Sequence, residues 1–251
     1  MPIRFEIDGP IGTLLIDNPA RRNAMDASMY AAVPDAVRSL LADDDLRVVV
    51  LRGAGDVAFG AGSDISEFMA KRWAEAADAY NATEAAAAHA IESVPVPVIA
   101  AIHGPCMGGG VGLALCADLR YAADDARFAI TPGKLGVGYP PDSMARLARV
   151  VGPAVAKELV FTARPLDAAQ AARVGLVNAV CPKAELDDHI AGVAATIASL
   201  APLTLKAAKL AVDAPESDAA VEAARRCFSS DDYAEGVRAH TEKRAPTFRG
   251  R

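Results

Sequence analysis

Apolar and polar positions fall in blocks along the chain, and the blocks predict a series of strands and helices. Residues 11–17 read as a strand that Asn18-Pro19 ends. Asp26 stands where an N-cap would, ahead of a helix over 27–41, and Pro34 inside that span counts against its running unbroken. The β-branched run 47–52, RVVVLR, is a strand of buried type. Residues 53–64 form a Gly/Ala-rich loop, and Asp64 and Glu67 have capping-box spacing, with Asp in place of Ser or Thr. Residues 71–93 are rich in alanine and helical, with Glu75, Asp78 and Glu84 as their solvated face. Another buried strand spans 96–102, and short strands span 119–122 and 127–130. Residues 131–142 are a Pro/Gly-shaped loop. Helices over 143–151 and 154–162 meet at Gly152-Pro153; Asp167 caps a further helix to Arg173, and a strand covers 175–180. From Lys183 onward the pattern is helical, over 184–200, 202–212, 218–228 and 231–243, broken at Pro202 and Pro215. An alternating β/α body over 1–182 is thus followed by a helical module over 183–251.

The stretch 103–118, HGPCMGGGVGLALCAD, sits at the centre of this series. Gly108, Gly109 and Gly110 follow a buried strand and lead into an apolar helical segment, 111–117. Such a turn leaves backbone N–H groups unpaired at a helix start, where they can hold negative charge on an oxygen. The loop ending at Ser63 is a second turn of the same kind. Each turn alone is also explained by tight packing or a capped loop. Two together can supply the pair of converging N–H groups that an oxyanion needs.

Composition narrows the function. The chain has 251 residues, 52% of them hydrophobic, enough for a large buried core. No apolar run reaches membrane-spanning length; the best candidate, 94–102, holds Pro95 and Pro97. The start of the chain has no secretory pattern. Cys106, Cys116, Cys181 and Cys227 are scattered, as are His89, His103, His189 and His240, and none has metal-ligand spacing. The expectation is a cytoplasmic protein with reduced thiols, no metal, no membrane and, at a net charge of −6 without a dense basic cluster, no nucleic acid.

The motifs RRNAM (21–25), AFGAGSDI (58–65), AIHGPCMGGGVGLALCADLRYA (101–122), FAITPGKLGV (128–137), KELVFTARPLDAAQAARVGLVNAV (157–180) and EKRAPTF (242–248) give the chain its resemblance to the enoyl-CoA hydratase/isomerase (crotonase) family, over nearly its whole length. That resemblance implies an α/β fold, a ClpP/crotonase-like ββα spiral with two roughly perpendicular sheets, and a helical C-terminal module supporting a homotrimer or hexamer. It implies an acyl-CoA thioester as substrate, with coenzyme A entering as part of the substrate and no bound cofactor. By motif position, the oxyanion donors would be the N–H groups of Ser63 and Gly109. Backbone around Ala24, Ala61 and Ile65 would hold the adenine, Arg22 and Lys243 would lie near the phosphates, and Asp64 and Phe248 would lie near coenzyme A. As sequence features alone, Arg22 and Lys243 are also plain surface charges.

The sequence departs from the family's hydratases at two positions. Those enzymes carry glutamates where this chain has Gly112 and Pro132, neither of which can transfer a proton. A positioned acid or base is typically worth about 10²–10⁴-fold in rate. Decarboxylation of a malonyl- or methylmalonyl-type thioester needs the oxyanion hole without that pair, because the substrate's own carboxylate leaves. The loop TPGKLGVGY is similar to the methylmalonyl-CoA decarboxylase branch, which places a tyrosine, here Tyr139, three residues after the Leu-Gly pair. That branch keeps a glutamate at Gly112 and a histidine at Ser63. Tyr139 could orient a carboxylate, supply a proton or simply pack over the acyl pocket. Asp142 is the nearest carboxylate in sequence, either a substitute base or the cap of the helix over 143–151. Asp118 is expected to bond backbone, and His103 to be a satisfied buried histidine. The alternatives are a hydratase or isomerase with an unusual acid/base, and an acyl-CoA binding protein without turnover.

Overall fold

The computed structural model describes residues 2–251. The chain opens on β1 (Ile3–Asp8) and β2 (Ile11–Ile16), an antiparallel pair turning at Gly9. The predicted series begins only at residue 11, yet Ile3 to Asp8 alternate apolar and charged without exception, a period-2 signal six residues long. Next comes α1 (Ala27–Leu40), capped by Asp26, whose Oδ1 accepts from Met29 N at 2.8 Å. The helix runs unbroken through Pro34 because Met29, Tyr30, Val33, Val37 and Leu40 are all buried on one face, and packing outweighs one missing hydrogen bond.

The remaining elements follow in order: β3 (Val48–Gly53), α2 (Phe68–Lys71), α3 (Ala76–Glu92), β4 (Val98–Ile102), β5 (Pro105–Met107), α4 (Gly109–Ala114), β6 (Leu119–Ala123), β7 (Arg127–Ala129), α5 (Pro141–Val151), α6 (Pro153–Thr162), β8 (Leu166–Asp167), α7 (Ala168–Arg173), β9 (Ala179–Cys181), α8 (Leu186–Ser199), α9 (Pro202–Asp213), α10 (Asp218–Cys227) and α11 (Asp231–Glu242). The single helix expected over 71–93 is instead split between α2 and α3, with Arg72 at φ −131° and Ala74 at φ +49°. The strand expected over 175–180 shrinks to β9, since Gly175 turns at φ +78° and Asn178 meets Arg120 through its side chain.

A six-stranded sheet has the order β1-β2-β3-β4-β6-β9, parallel from β2 onward, and a small sheet has the order β5-β7-β8. The strand–strand–helix turn of the spiral is complete from β4 onward: β4, β5 and α4 are one such turn and β6, β7 and α5 the next, whereas β2 and β3 lead to α1 and α2 with no small-sheet strand between. The run RVVVLR is apolar at successive positions because both faces of β3 are covered. Val49 and Leu51 join the core with α1 and α3, while Val48 and Val50 pack with Leu186, Ile190 and Ala194 of α8. Lys209 of α9 reaches the body by an ion pair to Asp118 at 2.8 Å, and Asp118 also accepts from Val98 N at 2.7 Å, the backbone role expected of it. No single helix is long and apolar enough to cross a membrane among the described residues.

Candidate active site

Two strand-to-helix turns meet at the heart of the chain. Met25 donates its N–H to Gly62 O at 2.8 Å and accepts from Asp64 N at 2.7 Å. In such a parallel bridge the intervening residue, Ser63, turns its own N–H to the opposite side. On that side lies Gly109, the first residue of α4, whose N–H has no acceptor within its helix. Neither amide donates to any acceptor among the described residues. The turns touch at backbone level: a β-carbon on Gly62 (φ +93°) would lie 3.2 Å from Gly109 N, and one on Gly109 would lie 3.3 Å from Ser63 N. Two unpaired amides held this way can receive an oxygen that carries negative charge.

Both amides border a cavity of about 380 Å³ that α3, α5 and the 131–140 loop enclose. Pro132 and Gly112, where the family's hydratases would have glutamates, both line it. Tyr139 lines it as well. Its phenol lies 3.6 Å from where a Gly112 β-carbon would sit, and its hydroxyl donates to Gly108 O at 3.4 Å. Burial pushes the Tyr139 phenol well above its ordinary value, with the charge of Glu84 adding to the effect, so it stays protonated.

The carboxylates of this cavity depart from what the sequence pattern predicts. Glu75 and Asp78 are exposed as expected, but Glu84 is not part of a solvated face. Its Oε1 accepts from Ser63 Oγ at 2.6 Å, and its Oε2 pairs with Arg72 Nη2 at 2.6 Å. With Ser63 donating to the carboxylate, the Tyr30 hydroxyl donates to Ser63 Oγ at 3.0 Å. The signal for Glu84 is helical spacing: Tyr80, Ala87 and Ile91 form the buried stripe of α3, and position 84 falls on it. Arg72 breaks the predicted helix because its guanidinium folds back to Glu84, over the rings of Phe68 and Tyr80. A second pair, Arg146 Nε to Glu92 Oε1 at 2.5 Å, joins α5 to α3 further along the cavity. Asp142 does not cap α5: the helix begins one residue before it, with Pro140 as N-cap, and Asp142 lies in the first turn, exposed on the cavity's edge without a hydrogen bond among the described residues.

Among the remaining expected residues, Ala61 and Ile65 line the cavity. Ala24 lies outside its lining, with its carbonyl taken by Asn18 Nδ2 at 2.8 Å. Arg22 is exposed on a left-handed turn (φ +52°), and its carbonyl accepts from Ala61 N at 2.9 Å. Asp64 is engaged with Arg21 and with Ser66 N, and its capping box with Glu67 does not form, because Glu67 instead accepts from Ala27 N at 2.9 Å and pairs with Lys71. Lys243, the left-handed residue that ends α11, and Phe248 are not brought to this cavity by the chain's own fold; Phe248 packs beside Gly236 in a separate groove with Phe228 and Tyr233. His103 is buried outside the cavity, and it is unsatisfied: its Nε2 has no partner among the described residues, and burial lowers its proton affinity.

Comparison with known proteins agrees with this geometry. A family model described as "Enoyl-CoA hydratase/isomerase" matches residues 6–251. The chain is 34% identical over 253 residues to a crotonyl-CoA hydratase of Syntrophomonas wolfei, covering 98% of this chain and 97% of that one. It is also 34% identical to a carnitinyl-CoA dehydratase of Salmonella typhi, with 97% of each chain covered. A solved structure described as an enoyl-CoA hydratase/carnithine racemase from Magnetospirillum magneticum superposes with a TM-score of 0.95 at 37% identity, covering all of this chain and 96% of that one.

Proposed function

The chain belongs to the enoyl-CoA hydratase/isomerase family, whose members act on acyl-CoA thioesters, and we propose that it stabilises a thioester enolate between the Ser63 and Gly109 amides, with decarboxylation of a malonyl- or methylmalonyl-type CoA as its reaction. The observation that carries this reading is the phenol of Tyr139 above Gly112, next to two unpaired amides. The bond from C2 to the carboxylate breaks, CO2 leaves, and the electron pair passes into the thioester carbonyl. The amides hold the resulting oxyanion. Tyr139, kept protonated by burial, then gives C2 its proton, and solvent returns one to the phenolate. Neither Gly112 nor Pro132 has a part in these steps.

One observation favours a second reading. Glu84 brings a carboxylate to the oxyanion turn, and it could serve a hydratase or isomerase as the acid/base that positions 112 and 132 lack. Both oxygens of Glu84 are already engaged, by Ser63 and Arg72, which weighs for decarboxylation. Exposed Val212 of α9, Phe228 just past α10, and Tyr233 and Val237 of α11 support assembly as a trimer or hexamer. A mass-spectrometric turnover assay with malonyl-CoA, methylmalonyl-CoA, crotonyl-CoA and 3-enoyl-CoAs tests the reading. Release of CO2 without hydration of crotonyl-CoA is expected. Hydration or isomerisation lost on Glu84→Gln would establish the second reading, and binding without any conversion would overturn both.

A further inference from the structure

We infer that Arg72 and Glu84 form a positioning pair that sets how strongly the Ser63 and Gly109 amides hold a negative oxygen; the inference rests on the enolate reading of this site. The pair is connected to both turns. Glu84 binds Ser63 Oγ, and Ser63 Oγ in turn receives Tyr30. Both hydroxyls press on Gly109: a β-carbon there would lie 2.5 Å from Tyr30 Oη and 3.0 Å from Ser63 Oγ. The chain of contacts from Arg72 to Gly109 thus fixes the residues that present both amides.

The charge of Glu84 is out of place by itself. A carboxylate beside a hole that must take up negative charge opposes it, and in a partly buried site this repulsion is large. Arg72 removes the conflict. Its side chain is 8% exposed, it binds both oxygens of Glu84, and it is locked between Phe68 and Tyr80 while Nε donates to Asn81 Oδ1 at 3.0 Å. The carboxylate can then orient Ser63 without repelling the oxyanion.

The test needs no turnover. Binding of carboxymethyl coenzyme A, an unreactive thioether with an anionic oxygen, is measured against methyl coenzyme A, so that contacts to the coenzyme cancel in the ratio. The wild-type chain is expected to favour the anion. Arg72→Gln, which leaves Glu84 uncompensated, is expected to lower that preference about tenfold. Adding Glu84→Gln to it should restore most of the loss, which a purely structural pair would not do. Ser63→Ala, which keeps the backbone amide and frees it from Glu84, should lower the preference about threefold, and it carries the test if Arg72→Gln does not fold. No preference for the anion in the wild type would overturn the enolate reading together with this inference. A wild-type preference that Arg72→Gln leaves unchanged, that the double variant fails to recover, or that Ser63→Ala does not move would overturn the inference alone.

Discussion

Tyr139 stands over Gly112, its phenolic oxygen 3.6 Å from the place where a side chain at 112 would begin. The two residues form one arrangement. A glycine in α4 leaves room for the phenol, and the phenol occupies the space into which a glutamate at 112 would extend. The phenol of Tyr139 and a longer side chain at 112 would therefore compete for the same volume.

Tyr139→Phe removes the hydroxyl and retains the ring. Its one hydrogen bond, to Gly108 O at 3.4 Å, is long, so stability should hardly change. Turnover of the decarboxylated substrate should fall about 10²-fold with KM little altered, as expected for loss of a positioned proton donor. Steady-state kinetics beside a thermal melt checks this; unchanged kcat would remove Tyr139 from the chemistry.

Gly109→Ala places a methyl 2.5 Å from Tyr30 Oη and 3.0 Å from Ser63 Oγ. The turns must separate, so the Ser63 and Gly109 amides lose their spacing; if they act as proposed, kcat should fall about 10²–10³-fold. Adding Tyr30→Phe removes the nearest clash. The double variant should regain part of the lost melting temperature but little activity, because the methyl still lies 3.3 Å from Ser63 N. Equal recovery of activity and stability would show that the turn spacing is not what the chemistry needs.

Much of this architecture is legible in the sequence because it is local. RVVVLR marks a strand buried on both faces, Asp167 caps α7 in a full capping box with Gln170, and the two Gly/Ala turns identify themselves by composition. The carboxylates are less legible, because their partners lie far along the chain. Glu84 reads as a solvated charge until its place on the Tyr80–Ala87–Ile91 stripe is noticed, and only folding brings Ser63, 21 residues away, against it. Asp142 shows the converse. A cap position one residue from a predicted helix start is lost when Pro141 takes the first helical place, to which its fixed φ is suited. Lys243 and Phe248 carry family motifs that the chain's own fold leaves away from the cavity.

Glu92→Ala leaves the guanidinium of Arg146, 9% exposed, without its carboxylate on the cavity wall. Removing one partner of a buried pair costs about 3–5 kcal/mol, and the lower end applies because Glu92 is 32% exposed. Replacing both residues, by Glu92→Leu with Arg146→Met, should cost much less, since no charge is then stranded. Denaturant unfolding of the three chains separates these outcomes; a double variant as unstable as Glu92→Ala would mean that the pair's shape matters more than its charge.

At the far end of the chain, Glu235 of α11 grips the C-terminal segment, with Arg244 Nη1 at 2.6 Å and Thr247 N at 3.0 Å. The Arg244 guanidinium, and then the Thr247 amide, hold the Glu235 carboxyl down at about 2, against an ordinary value of 4.5. Because the folded value is the lower one, this contact stabilises the segment fully above about pH 4.5 and is lost as pH falls toward 2. Glu235→Gln should therefore speed hydrogen exchange at the Thr247 amide near neutrality, after correction for intrinsic rate, and the difference from wild type should shrink steadily below pH 4.5. A difference that stays constant down to the acid limit of folding would mean that geometry, and not the charge of Glu235, anchors residues 244–247.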